Sequence, residues 1–339
     1  MFKYLSVFSR ILLKDRPFRK SLWKNLRFLL AENKPTHSST ILINLTEHMG
    51  DVVAAEPIAR QLRKEHPDAR IIWCVNDKFK DLVLYNPHLD HILTVTCIAE
   101  WILLKKLVAH RLTVHDLHLK GRSCRKYKLT NKNNNDSGID IFNYLDRGSL
   151  LEVFVKTAGL RYPDDDAPRF YFSRDVRDKV KLPYDYVVVH PLANDQERNW
   201  TTEGWNQMVE KLLLAHPNLH VVEIGLSATI ENKSPRFHDL TAKYTLQQLA
   251  YIIKGAKLFI GVESGFAHIA NAVGTNSAVM IGYFQHYKNY MVYTGRFASG
   301  ENCILHYHQG TLSGMLPEEF WPSVESRLPA ASVSNLAKA

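Results

Sequence analysis

The hydrophobic positions of the first half predict alternating strands and helices. Short apolar runs rich in β-branched residues predict buried strands, and apolar residues at helical spacing predict helices between them. The predicted strands are 39–46, 69–75 and 92–95, and the predicted helices are 52–64 and 78–85. Such an alternation is typical of a parallel sheet with helices on its faces.

The second half repeats this pattern. Residues 139–160 predict a helix that ends at Gly159, and the irregular, charged stretch 163–183 predicts a domain boundary. The predicted strands are then 186–190, 220–224, 257–262 and 277–281, and the predicted helices are 205–215, 246–254 and 266–273. The chain therefore reads as two Rossmann-like domains, whose parallel sheets we expect to face a central cleft.

Two basic segments lie outside this alternation. Residues 1–33 have helical period with a basic face, which suits either an anionic membrane surface or packing on the protein's own core. The polar, basic stretch 121–138 predicts a mobile loop. The expected organisation is a basic helix at 1–34, a first Rossmann-like domain at 35–175, a second Rossmann-like domain at 176–325 and a tail at 326–339.

Composition narrows the functional classes. With 339 residues the chain is long enough for two domains of about 150 residues, and a net charge of +9 favours anionic partners. None of the four cysteines forms a C-x-x-C pair, which argues against a zinc or redox motif and suits a reducing cytosol. No run of 18 apolar residues predicts a membrane span, and residues 1–13 resemble neither a signal peptide nor an anchor.

Candidate chemistry lies in the loops that follow strands, because ligands of parallel sheets bind at the carboxyl ends of the strands. The first such loop contains Glu47, His48, Gly50 and Asp51. Gly50 permits close approach of a ligand or a positive φ. Asp51 suits a general base acting on an acceptor hydroxyl, whereas the alternative is a helix cap. Glu47 and then His48 are rival bases.

Two loops of the second half offer positive charge. Arg198, in the loop that includes Asn194, is suited to bind a diphosphate, and Trp200 is suited to anchor the loop in the core; the alternative is a solvated polar loop with a packed Trp. A helix predicted to begin near Ser264 or Gly265 presents free N–H groups to an anion. No dinucleotide fingerprint or Walker sequence occurs.

Taken together, these loops resemble the family 9 glycosyltransferases, the heptosyltransferases of lipopolysaccharide core assembly. The similarity runs from about residue 39 to about residue 282. The matching residues are Met49-Gly50-Asp51 with Pro57, Asn86-Pro87-His88-Leu89-Asp90, Arg198-Asn199-Trp200 with Trp205, and Glu263-Ser264-Gly265 with His268-Ile269-Ala270.

The resemblance implies a GT-B fold and an inverting transfer without a required metal or other cofactor. It makes 35–175 the acceptor domain, with the catalytic aspartate at Asp51, and 176–325 the donor domain, with a donor-phosphate cation at Arg198. It also implies a donor pocket that includes Asn194, Ser227, Glu263, Ser264, Gly265 and His268. Glu263 replaces the family's usual aspartate, and Ser227 stands near an acidic ribose contact of core heptosyltransferases.

By the same resemblance, the donor is an ADP-heptose-like nucleotide sugar and the acceptor a lipid-linked or phosphorylated glycan of the lipopolysaccharide or envelope. It also implies a cytoplasmic enzyme, peripheral on the inner face of the cytoplasmic membrane of a Gram-negative bacterium. Three alternatives remain: a GT-B transferase of another sugar, a non-enzymatic binder of nucleotide or anionic glycan, and a nucleotide-sugar epimerase. Nucleic acid is not expected as a partner, because aromatic residues do not interleave the basic stretches.

Overall fold

The computed structural model describes residues 14–31, 39–132 and 137–328, which divide into two compact units between Tyr171 and Phe172. Expectations for residues 1–13, 32–38, 133–136 and 329–339 lie outside the described residues. No helix among the described residues is long and apolar enough to cross a membrane.

The first unit is built on a four-stranded parallel sheet with the strand order β3-β2-β1-β4. Its strands are β1 Thr40–Asn44, β2 Arg70–Asn76, β3 His91–Val95 and β4 Thr113–Asp116. Its α-helices are α1 Arg16–Ala31, α2 Met49–Ala54, α3 Glu56–Glu65, α4 Ile98–Val108 and α5 Leu150–Ala158, with 3-10 helices at Asp77–Leu82 and Tyr144–Asp146.

Several predicted helices of this unit are corrected. The helix expected at 52–64 is two helices, α2 and α3, which meet at Ala55, because Pro57 sits in the first turn of α3 and lacks the N–H that a continuous helix needs. The helix expected at 78–85 is the 3-10 helix Asp77–Leu82. The helix expected at 139–160 begins only at α5, where Ser149 caps the backbone N–H of Glu152.

The apolar side of α1 packs on the core of its own unit. Phe18, Leu22 and Leu29 are at most 5% exposed and belong to the core cluster with α4 and β3. Asn25 is buried as well, and its Nδ2 donates to the Thr94 carbonyl at 2.8 Å. Core packing therefore holds for Arg16–Ala31, and the apolar stripe of this helix is not available to a membrane.

Residues 120–132 form a short hairpin, which we call the basic hairpin, rather than the mobile loop that was expected. The backbone of Cys124 bonds to Leu129 at 2.8 Å, and both side chains are buried. At its tip, Lys126 Nζ lies 2.6 Å from Asp15, and the Tyr127 ring contacts Phe18 edge-on at 5.1 Å. These contacts attach the hairpin to the start of α1. The segment is therefore ordered by residues that are distant in the sequence, which a local sequence pattern does not show.

The segment before the boundary is held on α3 by a buried ion pair. Arg60 Nε lies 3.1 Å from the buried carboxylate of Glu56, and Arg60 Nη1 lies 2.8 Å from Asp165. Glu56 also accepts from the backbone N–H of Arg169 and from the hydroxyl of Tyr171. Contacts with α3 therefore order the irregular stretch as far as Tyr171, where the first unit ends.

The second unit has a six-stranded parallel sheet with the strand order β10-β9-β8-β5-β6-β7. Its strands are β5 Tyr186–His190, β6 His220–Glu223, β7 Phe237–Asp239, β8 Leu258–Val262, β9 Ser277–Ile281 and β10 Cys303–Tyr307. Its α-helices are α6 Val176–Lys179, α7 Thr202–Ala215, α8 Leu246–Gly255, α9 Gly265–Val273, α10 Gly295–Ala298 and α11 Pro317–Glu325, with 3-10 helices at Gln196–Arg198 and Leu312–Gly314. The prediction of two parallel-sheet α/β domains is confirmed.

Candidate functional site

The loops that follow β5 and β8 lie side by side because these strands are neighbours in the sheet. His190 at the end of β5 pairs in register with Gly261 of β8. The Ser264 hydroxyl, three residues further on, lies 3.1 Å from Nδ1 of His190. The register of the sheet therefore brings together two loops that are more than sixty residues apart in the chain.

His190 supports this edge as a neutral ring. It is buried, packs against Phe266 at a centroid distance of 4.6 Å, and burial lowers its pKa to about 3. The ring therefore carries no charge at neutral pH. It acts here as a hydrogen-bonding partner of Ser264, not as an acid.

Arg198 is the cation of this edge, and it is paired with two carboxylates. Its Nη1 bonds to Glu263, and its Nη2 lies 2.7 Å from Asp195. Burial opposes the charge of Arg198, but the Glu263 carboxylate outweighs it and raises the pKa of the guanidinium. The Phe284 ring lies 4.8 Å from the guanidinium carbon. Arg198 is thus held as a permanent cation in a fixed position, with 18% of its side chain exposed.

Trp200 anchors the Arg198 loop, as predicted. Its indole is buried, donates to the Met315 carbonyl at 2.8 Å and packs against Trp205. The first turn of α7 passes so close that a Cβ on Gly204 would lie 2.4 Å from this indole. The amide oxygen of Asn199 accepts from the backbone N–H of Ala193 at 2.6 Å and closes the loop. The loop is therefore rigid at the point where Arg198 leaves it.

The start of α9 presents backbone N–H groups beside this cation. Ser264 is the N-cap residue, but its hydroxyl bonds to His190 instead of capping the helix. The backbone N–H groups of Ala267 and His268 bond to the Ser264 carbonyl, so those of Gly265 and Phe266 are the ones that the first turn can offer to a ligand. His268, one turn on, is buried, with Nε2 at 3.8 Å from Glu263 and its ring 4.6 Å from Tyr293. This helix start suits an anion.

Other predicted residues of this edge differ in exposure. Asn194 and Ser227 are exposed on the loops that follow β5 and β6. Phe284 and Tyr293, next to Arg198 and His268, were not predicted, because they come from a later segment without a motif. Glu223 was also missed: its carboxylate accepts from the N–H groups of Thr229 and Ile230 at 2.7 and 3.3 Å, and so holds the Ser227 loop.

The first unit places Asp51 on the first turn of α2. Its Oδ2 accepts from the backbone N–H of His48 at 3.0 Å, so Asp51 helps to cap the helix from its third position, and His48, not Asp51, is the N-cap residue. Oδ2 also lies 3.7 Å from Arg122 of the basic hairpin, and 16% of the side chain remains exposed. Gly50 lies within α2 and does not adopt a positive φ, which leaves close approach of a ligand as its suggested role. Glu47 is partly exposed and His48 exposed on the same loop.

A buried polar network lies beneath this loop. His118 Nε2 is 2.9 Å from the Thr46 hydroxyl, and His118 Nδ1 is 3.3 Å from Asp116. Asn44, at the end of β1, donates to Asp116 at 2.9 Å. All four side chains are buried, so they fix the strand end that carries the Asp51 loop.

No group of three or more His, Cys, Asp or Glu side chains that could hold a metal ion occurs among the described residues.

Comparisons with known proteins agree on one family. Residues 156–288 match the model of glycosyltransferase family 9 (heptosyltransferase). The chain is 22% identical over 284 residues to lipopolysaccharide heptosyltransferase 3 of Escherichia coli, which covers 70% of this chain and 82% of that protein.

Two solved structures share the fold. The family 9 glycosyltransferase of Veillonella parvula superposes with a TM-score of 0.63 at 15% identity, covering 87% of this chain and 98% of that one. The E. coli heptosyltransferase WaaC, solved with ADP, gives 0.57 at 16% identity, covering 85% and 97%. The resemblance to family 9 is confirmed, the fold is that of GT-B glycosyltransferases, and the findings indicate a glycosyltransferase of the heptosyltransferase-like type.

Proposed function

We propose that the protein transfers a heptose-like sugar, with inversion, from a nucleotide diphosphate donor to a lipopolysaccharide or other envelope glycan. ADP-heptose is the donor that the family resemblance favours. The observation that carries this proposal is the juxtaposition, at one sheet edge, of Arg198 and the uncapped start of α9 at Ser264. A guanidinium and backbone N–H groups are two recurrent ways in which proteins bind phosphate oxygens.

The second unit would bind the donor. Positive charge at Arg198 and the N-terminus of α9 would neutralise the diphosphate as it departs, without a metal ion. Asn194 and Ser227 would contact the nucleotide from the neighbouring exposed loops, and Gly265 would allow its close approach. Glu263 and His268 would shape the inner wall of this pocket, since both are nearly buried.

The first unit would activate the acceptor. In a single displacement, the acceptor hydroxyl loses a proton as its oxygen attacks the anomeric carbon, and the bond from that carbon to the diphosphate oxygen breaks. We propose Asp51 as the base that takes this proton. Its Oδ2 already accepts from His48, so Oδ1 is the oxygen that the geometry leaves for the acceptor. Arg122 of the basic hairpin lies 3.7 Å from Oδ2 of the same carboxylate.

A substitution at Asp51 tests the proposed base. Asp51→Asn keeps an oxygen that can cap His48, so the melting temperature and the ADP affinity should stay unchanged while kcat falls by about 10²- to 10⁴-fold. Turnover of a nucleotide-heptose at nearly the wild-type rate would remove Asp51 from the mechanism, and the same assay on Glu47→Gln would then test its main rival.

Arg198→Ala should weaken ADP binding, measured by calorimetry, by at least about tenfold, because a charge-assisted contact to the diphosphate is worth about 1.5–3 kcal/mol. Unchanged ADP affinity would contradict the placement of the donor. A panel of nucleotide sugars, tested for turnover by the wild-type protein, would distinguish heptose from other sugars, and turnover of none of them would favour a binding protein.

We also propose that the enzyme works at the cytoplasmic face of the inner membrane. The solvent side of α1 carries Lys20, Lys24 and Arg27, beside Trp23 and Leu30, which are 51% and 38% exposed. The basic hairpin is fastened to the same helix through Asp15. Basic residues near an anionic surface contribute about 1 kcal/mol each, and an interfacial Trp adds apolar contact.

A further inference from the structure

We infer that Asp195 competes with a donor phosphate for its place on Arg198 and must leave when the donor binds. The inference rests on the proposed donor site and adds to it a competing group from the chain itself. By this inference Asp195 lowers the affinity for the donor, whereas the residues that bind the donor raise it.

The contact resembles the one that a phosphate would make. Arg198 Nη2 lies 2.7 Å from Oδ2 of Asp195, which is the separation expected for a charged oxygen on a guanidinium. A carboxylate and a phosphate present the same kind of acceptor to the same donor group. While Asp195 holds Nη2, a diphosphate cannot bond to that nitrogen at the same angle.

The charges around Arg198 make the competition unavoidable. Glu263 and Asp195 both contact the guanidinium, so the three side chains together carry one net negative charge. A diphosphate brought against both carboxylates would meet repulsion at close range instead of attraction. One carboxylate therefore has to withdraw before Arg198 can bind an anion.

Exposure decides which carboxylate withdraws. The Glu263 side chain is 8% exposed at the end of β8, with His268 at 3.8 Å on its other oxygen. The Asp195 side chain is 51% exposed and gives no side-chain cap to the short helix that follows it. Asp195 can rotate into water without losing buried contacts, whereas Glu263 cannot.

Arg198 retains a further unsatisfied group for the incoming ligand. Its Nε is buried and has no hydrogen-bond partner. An unpaired N–H on a buried guanidinium is unfavourable, so an acceptor that reaches it is favoured. The arrangement is that of an anion site closed by a displaceable carboxylate.

The test compares the ADP affinity of Asp195→Ala and Asp195→Asn with that of the wild type, by calorimetry at fixed ionic strength. Because an exposed ion pair is weak, we expect Asp195→Ala to bind ADP about two- to fivefold more tightly and Asp195→Asn to lie between it and the wild type. Glu197→Gln is the matched control. It removes the same charge from the same loop, and the amide oxygen can still accept from the backbone N–H of Gln285, as Glu197 does at 3.0 Å.

The outcomes separate this inference from the proposed function. Affinity gains no larger than that of Glu197→Gln, or a loss of affinity, would overturn the inference while leaving the donor site in place. Unchanged ADP affinity in Arg198→Ala would overturn the donor site itself. In the Arg198→Ala background, Asp195→Ala should give no further gain than Glu197→Gln, because the contact it releases no longer exists.

Discussion

At the scale of single residues, the site is governed by pairings between distant positions. Arg198 and Glu263 are 65 residues apart, and the sequence resemblance assigned both to one pocket without showing that they neutralise each other. Asp195 escaped notice because a charged residue in a polar loop has no signature of its own. The motifs could be predicted because each has a local pattern; the charge balance could not, because it depends on how loops from different strands meet.

Glu223 allows a test of burial at one residue. Burial raises its pKa from the model-compound value of 4.5 to about 7, despite the two N–H groups that favour the ionised form. Between these values the folded state binds more protons than the unfolded chain, so this residue lowers the free energy of unfolding as the pH rises from about 4.5 to 7. Glu223→Gln, neutral throughout, should flatten that slope. Urea unfolding at pH 5 and pH 8 gives the change in the free energy of unfolding between these two pH values. An equal change in the wild type and in Glu223→Gln would contradict a raised pKa at Glu223.

At the scale of elements, buried strands were the easiest to predict and helices in the core the hardest. All four predicted strands of the second unit are present, because short apolar runs between turn residues have few other interpretations. Helix α4 was missed since it is apolar on almost every side, including Trp101 and Leu104, and so shows no amphipathic period. The basic hairpin was mistaken for a loop because its order comes from Asp15 and Phe18, far away in the chain.

Helix α1 allows a test of the membrane proposal, because its inner face is occupied by the core and only its outer face remains. Lys20→Glu with Lys24→Glu should reduce binding to phosphatidylglycerol vesicles by more than about tenfold, since each charge near the surface contributes about 1 kcal/mol. Lys181→Glu with Lys233→Glu, exposed positions of the second unit, makes the same change in net charge and is the control. High salt should release the wild type. Equal losses in both variants would show a general charge effect and no membrane face.

At the scale of the whole molecule, the chain consists of two units of similar size, each with its own parallel sheet and core. A protein of this kind can separate tasks, with one ligand on each unit. The alternation of strands and helices was enough to predict this architecture, because it occurs in both halves of the chain.

Binding of ADP alone should therefore slow hydrogen exchange more in the second unit than in the first. In hydrogen exchange, we expect ADP to protect peptides that contain the Arg198 loop and the start of α9, and to leave the β1–α2 segment with Asp51 nearly unchanged. The melting temperature should rise with concentration, since ligand at 100 times its Kd stabilises by about 2.7 kcal/mol. Protection centred on the first unit would contradict the assignment of the donor to the second.

The contact between Gly204 and Trp200 has a consequence for how natural variants of this protein are interpreted. Any side chain at position 204 would overlap the indole, so selection should keep glycine there as strictly as it keeps a residue that touches substrate. A survey of variation that ranks positions by their intolerance would then place Gly204 beside Arg198. Arg198 would be retained for the ligand that we propose it binds, and Gly204 for the space that it leaves to the indole.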